Sequence, residues 1–160
     1  MTERSEAAEE DRDESQPERL DRNTVELLNE LRIAGTGIQV MFAFLLILPF
    51  NKGWTRVDSF ERTVYFITLL VVALAAFLLM APPIHHRLLF RHGEKPFLIQ
   101  TGNYLAIAGM MCLGLGFVGI LVLISDVVVG GAAPVIVGVL AGAAITGLWL
   151  VIPLVRRDEE

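Results

Sequence analysis

The chain has 160 residues, of which 54% are hydrophobic and 19% are charged, and its mean hydropathy is +0.58. This apolar balance excludes an ordinary soluble domain and is typical of a membrane protein. The formal net charge of −5 arises in residues 1–20, which hold eight Asp and Glu against three Arg. The acidity is therefore a property of the N-terminal segment alone.

The acidic segment at residues 1–20 has many like charges and almost nothing apolar to bury. Ordering it would cost backbone entropy that no hydrophobic core would offset, so we expect a disordered cytoplasmic tail. Residues 21–157 are expected to form one transmembrane domain, which is followed by a short C-terminal tail at residues 158–160.

The next segment, RNTVELLNELR, predicts an amphipathic helix before the membrane. Asn23 precedes Glu26 by three residues, as in a capping box, and apolar residues such as Leu28 and Leu31 recur on one helical face. The sequence leaves open whether residues 24–32 lie in the membrane interface or continue directly into the first span.

Four apolar segments follow, and they predict an all-α membrane protein with four transmembrane helices. At about 1.5 Å per helical residue, each segment is long enough to cross most or all of a hydrocarbon core roughly 30 Å thick. The second segment contains no charged residue, which favours its insertion. The predicted spans are residues 33–50, 64–81, 104–125 and 132–154.

Lys and Arg are distributed unevenly between the two sides that four spans would create. Five precede the first span, three lie in residues 82–103 and two follow the fourth span, whereas the opposite side has three. The positive-inside rule therefore places both termini in the cytoplasm and makes the chain a multi-pass protein of the inner, or plasma, membrane.

The segment APPIHHRLLFRHGEK, at residues 81–95, follows the second span directly. Pro82 and Pro83 are expected to end or kink that span, with an amphipathic cytoplasmic helix after them. Adjacent histidines diverge by about 100° on a helix, so the pattern favours anchoring at the membrane interface over metal binding or a pH response. The expected interface anchors are His85, His86, Arg87 and Arg91.

The predicted spans contain no Asp, Glu, Lys, Arg or His, which argues against an ion or proton site inside the membrane. Thr36 is expected to bond back to its own helix. The Gln39 amide needs a partner in lipid, which either another helix or a polar cavity would supply. Glu26 and Glu30 are expected on a solvated face, with a cytoplasmic docking surface or a carboxylate at the helix entrance as alternatives. These four residues are the candidates for a polar site.

Small residues recur at a spacing of four in the third and fourth spans. Such stripes allow helix backbones to approach closely, either between these two spans or along a seam between two copies of the chain. Both alternatives stay open because the GxxxG pattern is common in membrane helices. The candidate packing residues are Ala108, Cys112 and Gly116 in the third span and Gly138, Gly142 and Thr146 in the fourth.

The phrases ELLNELR, QVMFAFLLILPF, ERTVYFITLL and HRLLFR resemble an uncharacterised family of small actinobacterial membrane proteins, a domain of unknown function. The resemblance covers roughly residues 20–157 and implies a four-span inner-membrane protein. Some members of that family carry a sodium/proton antiporter label, which the lack of an acid inside the spans does not support. The resemblance brings no established activity and no functional residues.

The sequence shows no nucleophile paired with a base, no P-loop and no metalloprotease motif, and it has no basic, aromatic patch for nucleic acid. We therefore expect a non-enzymatic assembly or accessory protein without a cofactor or metal. Its expected partners are membrane lipids and either a second copy or another membrane protein. The alternative is a small ion- or proton-coupled transporter, similar to a sodium/proton antiporter, with a polar site around Gln39 and Thr36.

Overall fold

The computed structural model describes residues 16–89 and 95–157, which form long helices joined by short connections. Two 3₁₀ turns join the first helix to the second, and a π-helical turn at Gly147–Val151 lies between the last two helices. The helices in chain order are α1 at Gln16–Ile47, α2 at Ser59–Leu89, α3 at Lys95–Val128, α4 at Ala133–Thr146 and α5 at Ile152–Arg157.

Four helical segments are long and apolar enough to cross a membrane, which confirms the predicted number of apolar helices. Each overlaps one predicted span and extends beyond it, because backbone hydrogen bonding continues past the point where the apolar run ends. The four candidate spans are Glu18–Phe50, Ser59–Leu88, Ile99–Val128 and Ala133–Arg156.

Helix α1 runs without interruption from the acidic N-terminal segment into the first candidate span. Residues 24–32 are therefore a continuous extension of that span. The Thr24 hydroxyl donates a hydrogen bond to the Leu20 carbonyl at 2.7 Å, so this polar group is satisfied within the helix. Of the predicted disordered tail, residues 1–15 lie outside the described residues, and residues 16–20 belong to α1.

The start of α2 is fixed by a reciprocal pair of hydrogen bonds. The Glu61 N–H donates to Oδ1 of Asp58 at 2.9 Å, and the Asp58 N–H donates to Oε2 of Glu61 at 2.8 Å, which is a capping box. Trp54, in the preceding turn, packs edge-on against Tyr65 with ring centroids 4.7 Å apart. These contacts hold the connection from α1 against the first turns of α2.

Helix α2 continues through Pro82 and Pro83 as far as Leu89, so the helix does not end at the prolines. The amphipathic segment predicted after the second span is, as far as it is described, a continuation of α2. Proline lacks an N–H donor, so each of these residues leaves one helical hydrogen bond unmade, but its fixed φ fits a helix. Pro82 is buried against α3, where its Cβ would lie 3.5 Å from a Cβ at Gly102.

The core lies where α1, α2 and α3 meet, and its residues recur at spacings of three, four and seven. Alternating spacings of three and four residues repeat every seven residues, or about two helical turns, and so keep the buried side chains on one helical face. This pattern favours a small crossing angle between neighbouring helices. The buried residues at these spacings include Leu31, Ile38, Met41 and Leu45 in α1; Tyr65, Thr68, Val72, Ala75 and Leu79 in α2; and Ala106, Gly109, Leu113, Gly116 and Leu123 in α3.

Glycines on α3 allow α2 to approach it closely. A Cβ at Gly116 would lie 2.6 Å from Cγ2 of Val72, and a Cβ at Gly109 would lie 2.5 Å from Cγ of Leu79. Both distances are shorter than van der Waals contact, so neither position has room for a methyl group. Because Gly102 shares the same spacing of seven, these glycines form one face of α3, which we call the glycine seam.

The fourth helical segment lies outside this core. Among the described residues, α4 packs on α3 and on no other long helix. A Cβ at Gly138 would lie 2.9 Å from Cγ2 of Val122, which marks the contact between the two helices. Gly130 and Gly131, with φ of 71° and 62°, make the tight connection from α3.

A π-helical turn precedes Pro153 in the fourth segment. The Ile152 N–H donates to the Gly147 carbonyl, five residues back. Because a proline ring would clash with the carbonyl four residues earlier in a regular α-helix, the wider turn accommodates Pro153. The same turn carries Trp149, whose Cζ3 would lie 3.0 Å from a Cβ at Gly114 of α3.

We expect Gly109→Ala to lower the free energy of unfolding by about 1–3 kcal/mol, because its methyl group would displace Leu79 from a packed core. Gly37→Ala is the matched control, since a Cβ there meets no described atom of another element within 4 Å. Alanine at position 37 should leave stability unchanged or raise it by up to about 1 kcal/mol. Reversible unfolding in mixed micelles measures the stability of both variants. Equal stabilities of the two variants would contradict the close packing of α2 on the glycine seam.

Candidate functional site

A groove of about 780 Å³ lies between α1 and α2, and we call it the α1–α2 groove. Its volume falls within the roughly 300–1,000 Å³ that small-molecule sites occupy. Its lining is apolar except for two side chains, Arg32 and Gln39, which both belong to α1. Small residues of α2, Ala73 and Ala76, form part of the opposite wall. The groove is therefore an apolar channel with two polar groups along one wall.

Gln39 is exposed where it lines the groove, and within the described residues its amide has no hydrogen-bond partner. Among the described residues, no other element therefore provides a hydrogen bond to this amide. Arg32 precedes it by seven residues on the same face, about 10 Å along the helix axis. Arg32 is also exposed and, within the same residues, makes no side-chain ion pair.

The other three members of the predicted polar site do not line the groove. The Thr36 hydroxyl donates a hydrogen bond to the Arg32 carbonyl at 3.2 Å, within its own helix. Glu26 and Glu30 are exposed on α1 and do not line the groove. Of the four predicted residues, only Gln39 lines this groove, and Arg32, which the sequence did not single out, accompanies it.

The predicted interface anchors lie near the end of α2. His85 and His86 are partly buried and Arg87 is exposed, whereas Arg91 lies outside the described residues. His86 borders a cavity of about 20 Å³, which has room for little more than one water molecule. Within residues 16–89 and 95–157, no three His, Cys, Asp or Glu side chains are grouped to hold a metal ion.

The predicted stripe on α3 does not share one face. Gly116 is buried against α2, Cys112 is partly buried and Ala108 is exposed. A step of four residues turns about 40° beyond a full helical turn, so two steps separate Ala108 from Gly116 by about 80°. A step of seven drifts by only about 20°. The recurrence of glycine every seven residues, at Gly102, Gly109 and Gly116, is the sequence pattern that indicates the face of α3 that packs on α2.

The predicted stripe on α4 is divided between two environments. Gly138 faces Val122 of α3, but a Cβ at Gly142 meets no described atom of another element within 4 Å, and Thr146 is exposed. In the most apolar stretch of this segment, 0% of the residues are buried. Gly142 and Thr146 therefore form a strip of small side chains with open space beside it, which we call the α4 strip.

Comparison with known proteins identifies a family for the chain. Residues 13–153 match DUF6328, a family of unknown function. The match begins before α1 and ends within α5, so it covers nearly all of the four apolar helical segments. No curated protein and no solved structure matches the chain.

We expect Gln39→Leu to leave the free energy of unfolding unchanged or to raise it by up to about 1 kcal/mol. The amide forms no hydrogen bond within the described chain, so replacing it with an apolar group of similar size breaks none and removes an unpaired polar group. Unfolding in mixed micelles measures the change, with Met41→Ala as the control that removes a core side chain. A loss of more than about 1 kcal/mol in Gln39→Leu would show that the amide has an internal partner.

Proposed function

We propose that this chain, which belongs to the DUF6328 family of unknown function, is a non-enzymatic integral membrane protein that assembles with a second copy through the α4 strip. Four helices of sufficient length and apolarity support the membrane location. The open space beside Gly142 is the observation that carries the assembly hypothesis. Association through another membrane protein would use the same surface.

The proposed topology places both termini in the cytoplasm of a plasma-membrane protein. Four antiparallel spans put the N-terminal residues, the α2–α3 connection and the C-terminal residues on one side. That side carries ten Lys and Arg, against three on the other. This asymmetry supports the orientation by the positive-inside rule.

The α4 strip suits helix association for a physical reason. Lipid tails are as apolar as leucine, so helices associate in a membrane through close packing, which small residues permit. A helix-interior glycine costs roughly 1 kcal/mol relative to alanine. Gly138 offsets that cost by its contact with α3, whereas Gly142 makes no such contact within the described chain. A second helix packed on the strip would give Gly142 a close packing contact like the one that Gly138 makes with α3.

An ion- or proton-coupled transporter gains less support from the geometry. Thr36 bonds to its own helix, and the described residues that line the groove beside Gln39 belong to α1 and α2. Exchange across a membrane needs a polar path through the protein, often with an ionisable residue along it. The antiporter label carried by part of the resembling family therefore does not enter the proposal.

We expect Gly142→Leu to weaken self-association by about tenfold or more, because the larger side chain would hold the second helix away from the strip. Ala144→Leu is the matched control: it adds bulk to an exposed position about 200° around the same helix. Sedimentation equilibrium in detergent micelles measures both.

The control should associate as the wild-type protein does. A wild-type chain that stays monomeric at every protein-to-detergent ratio would contradict the proposal. Equal weakening by Gly142→Leu and Ala144→Leu would also contradict it, since association would then not depend on the strip.

A further inference from the structure

We infer that the α1–α2 groove binds a membrane phospholipid, with the lipid phosphate at Arg32 and one acyl chain along the apolar wall beyond Gln39. The inference concerns a different pair of helices from the proposed assembly surface on α4. A failure of either proposal would therefore leave the other standing.

The charge distribution of the groove favours an anionic group at one end. Among the residues that the structure describes, Arg32 is the only charged one that lines it, and the two acids nearest on α1, Glu26 and Glu30, do not. Within the described residues, Arg32 makes no ion pair. A guanidinium group has the planar fork of donors that matches two oxygens of a phosphate. A lipid phosphate would thus provide the counter-charge that the described chain does not.

The order of groups along α1 matches the order of groups in a phospholipid. Gln39 lies about 10 Å from Arg32 along the helix axis, and its amide can donate hydrogen bonds to an ester carbonyl below the phosphate. Past Gln39 the α1 wall continues with Phe42, Ala43 and Leu46, which have no polar side-chain atoms. Arg32 therefore faces the phosphate, Gln39 faces the ester, and the apolar wall faces the acyl chain.

Gly35 keeps the groove open between these two polar residues. It lies three residues after Arg32 and four before Gln39, so it shares their face. A Cβ at Gly35 would meet no described atom of another element within 4 Å. The space over this glycine is part of the groove, and a larger side chain would fill it without displacing the core.

A phospholipid fits the groove better than a helix from a second copy does. The apolar segments at residues 64–81, 104–125 and 132–154 contain no Asp, Glu, Asn or Gln. The first apolar segment, residues 33–50, also lacks Asp and Glu but contains Gln39. No span of a second copy would therefore bring a carboxylate to Arg32, and among the four spans only the first could bring an amide to Gln39. A phospholipid carries hydrogen-bond acceptors at both depths and an apolar chain for the rest.

Native mass spectrometry of the full chain, released from detergent micelles, tests the inference. The probes are dioleoyl phosphatidylglycerol and dioleoylglycerol, which have the same acyl chains and differ in the phosphate headgroup. We expect the phospholipid to be retained at about tenfold lower concentration than dioleoylglycerol. Arg32→Gln should remove most of that preference, and Gly35→Leu should weaken binding of both lipids by filling the groove.

Two variants serve as matched controls. Gly37→Leu adds the same side chain at an open α1 glycine that does not line the groove, and Arg56→Gln removes an exposed charge from the connection between α1 and α2. Both should retain the phospholipid as the wild-type protein does. Thermal unfolding of all four variants in the same detergent confirms that each one is folded.

Several outcomes would overturn the inference. These are equal retention of the two lipids by the wild-type protein, equal retention by Arg32→Gln and the wild type, and displacement of the lipid by millimolar inorganic phosphate. A dimer that Gly35→Leu dissociates, without any retained lipid, would show that the groove holds a second copy of the chain.

Discussion

The close approach of α2 to the glycine seam of α3 is the constraint on which the rest of the structure depends. At Gly116 and Gly109 no methyl group fits between the helices, and at Gly119 a Cβ would overlap the Thr68 hydroxyl. Thr68 is 4% exposed, and its hydroxyl has no hydrogen-bond partner within the described residues. Its contact with the glycine backbone brings a weak Cα–H···O interaction within reach. Between helices surrounded by lipid, such dense packing replaces the hydrophobic effect as the source of association.

This packing decides which surfaces stay available for other molecules. α1 contributes Met41 to the contact at Gly116, and the same helix turns Gln39 and Arg32 toward the α1–α2 groove. α4 takes no part in the seam and contacts α3 through Gly138, which leaves the Gly142 side open. The two proposed binding surfaces, one for a lipid and one for a second copy, are therefore the helical faces that the three-helix core does not use.

Hydropathy and length were sufficient to predict four apolar helices, because each segment is long and almost free of charge. They did not predict the helix ends: α2 passes through Pro82 and Pro83, and no local rule reveals that Pro82 packs against α3. The stripe at Ala108, Cys112 and Gly116 followed a spacing of four, whereas the helices pack at a spacing of seven. Gln39 was identifiable as an unusual amide in an apolar segment. Its pairing with Arg32 along one groove required knowledge of where α2 lies.

A double-mutant cycle between Gly116 and Val72 tests the glycine seam most directly, since these two residues are in contact in the core. Gly116→Ala should destabilise the protein by overpacking, and Val72→Ala should destabilise it by removing buried methyl groups. In the double variant the smaller side chain makes room for the new methyl group. In mixed-micelle unfolding, the loss of stability in the double variant should therefore be smaller than the sum of the two single losses by about 1 kcal/mol or more. Effects that add within about 0.5 kcal/mol would contradict the close approach of α2 and α3.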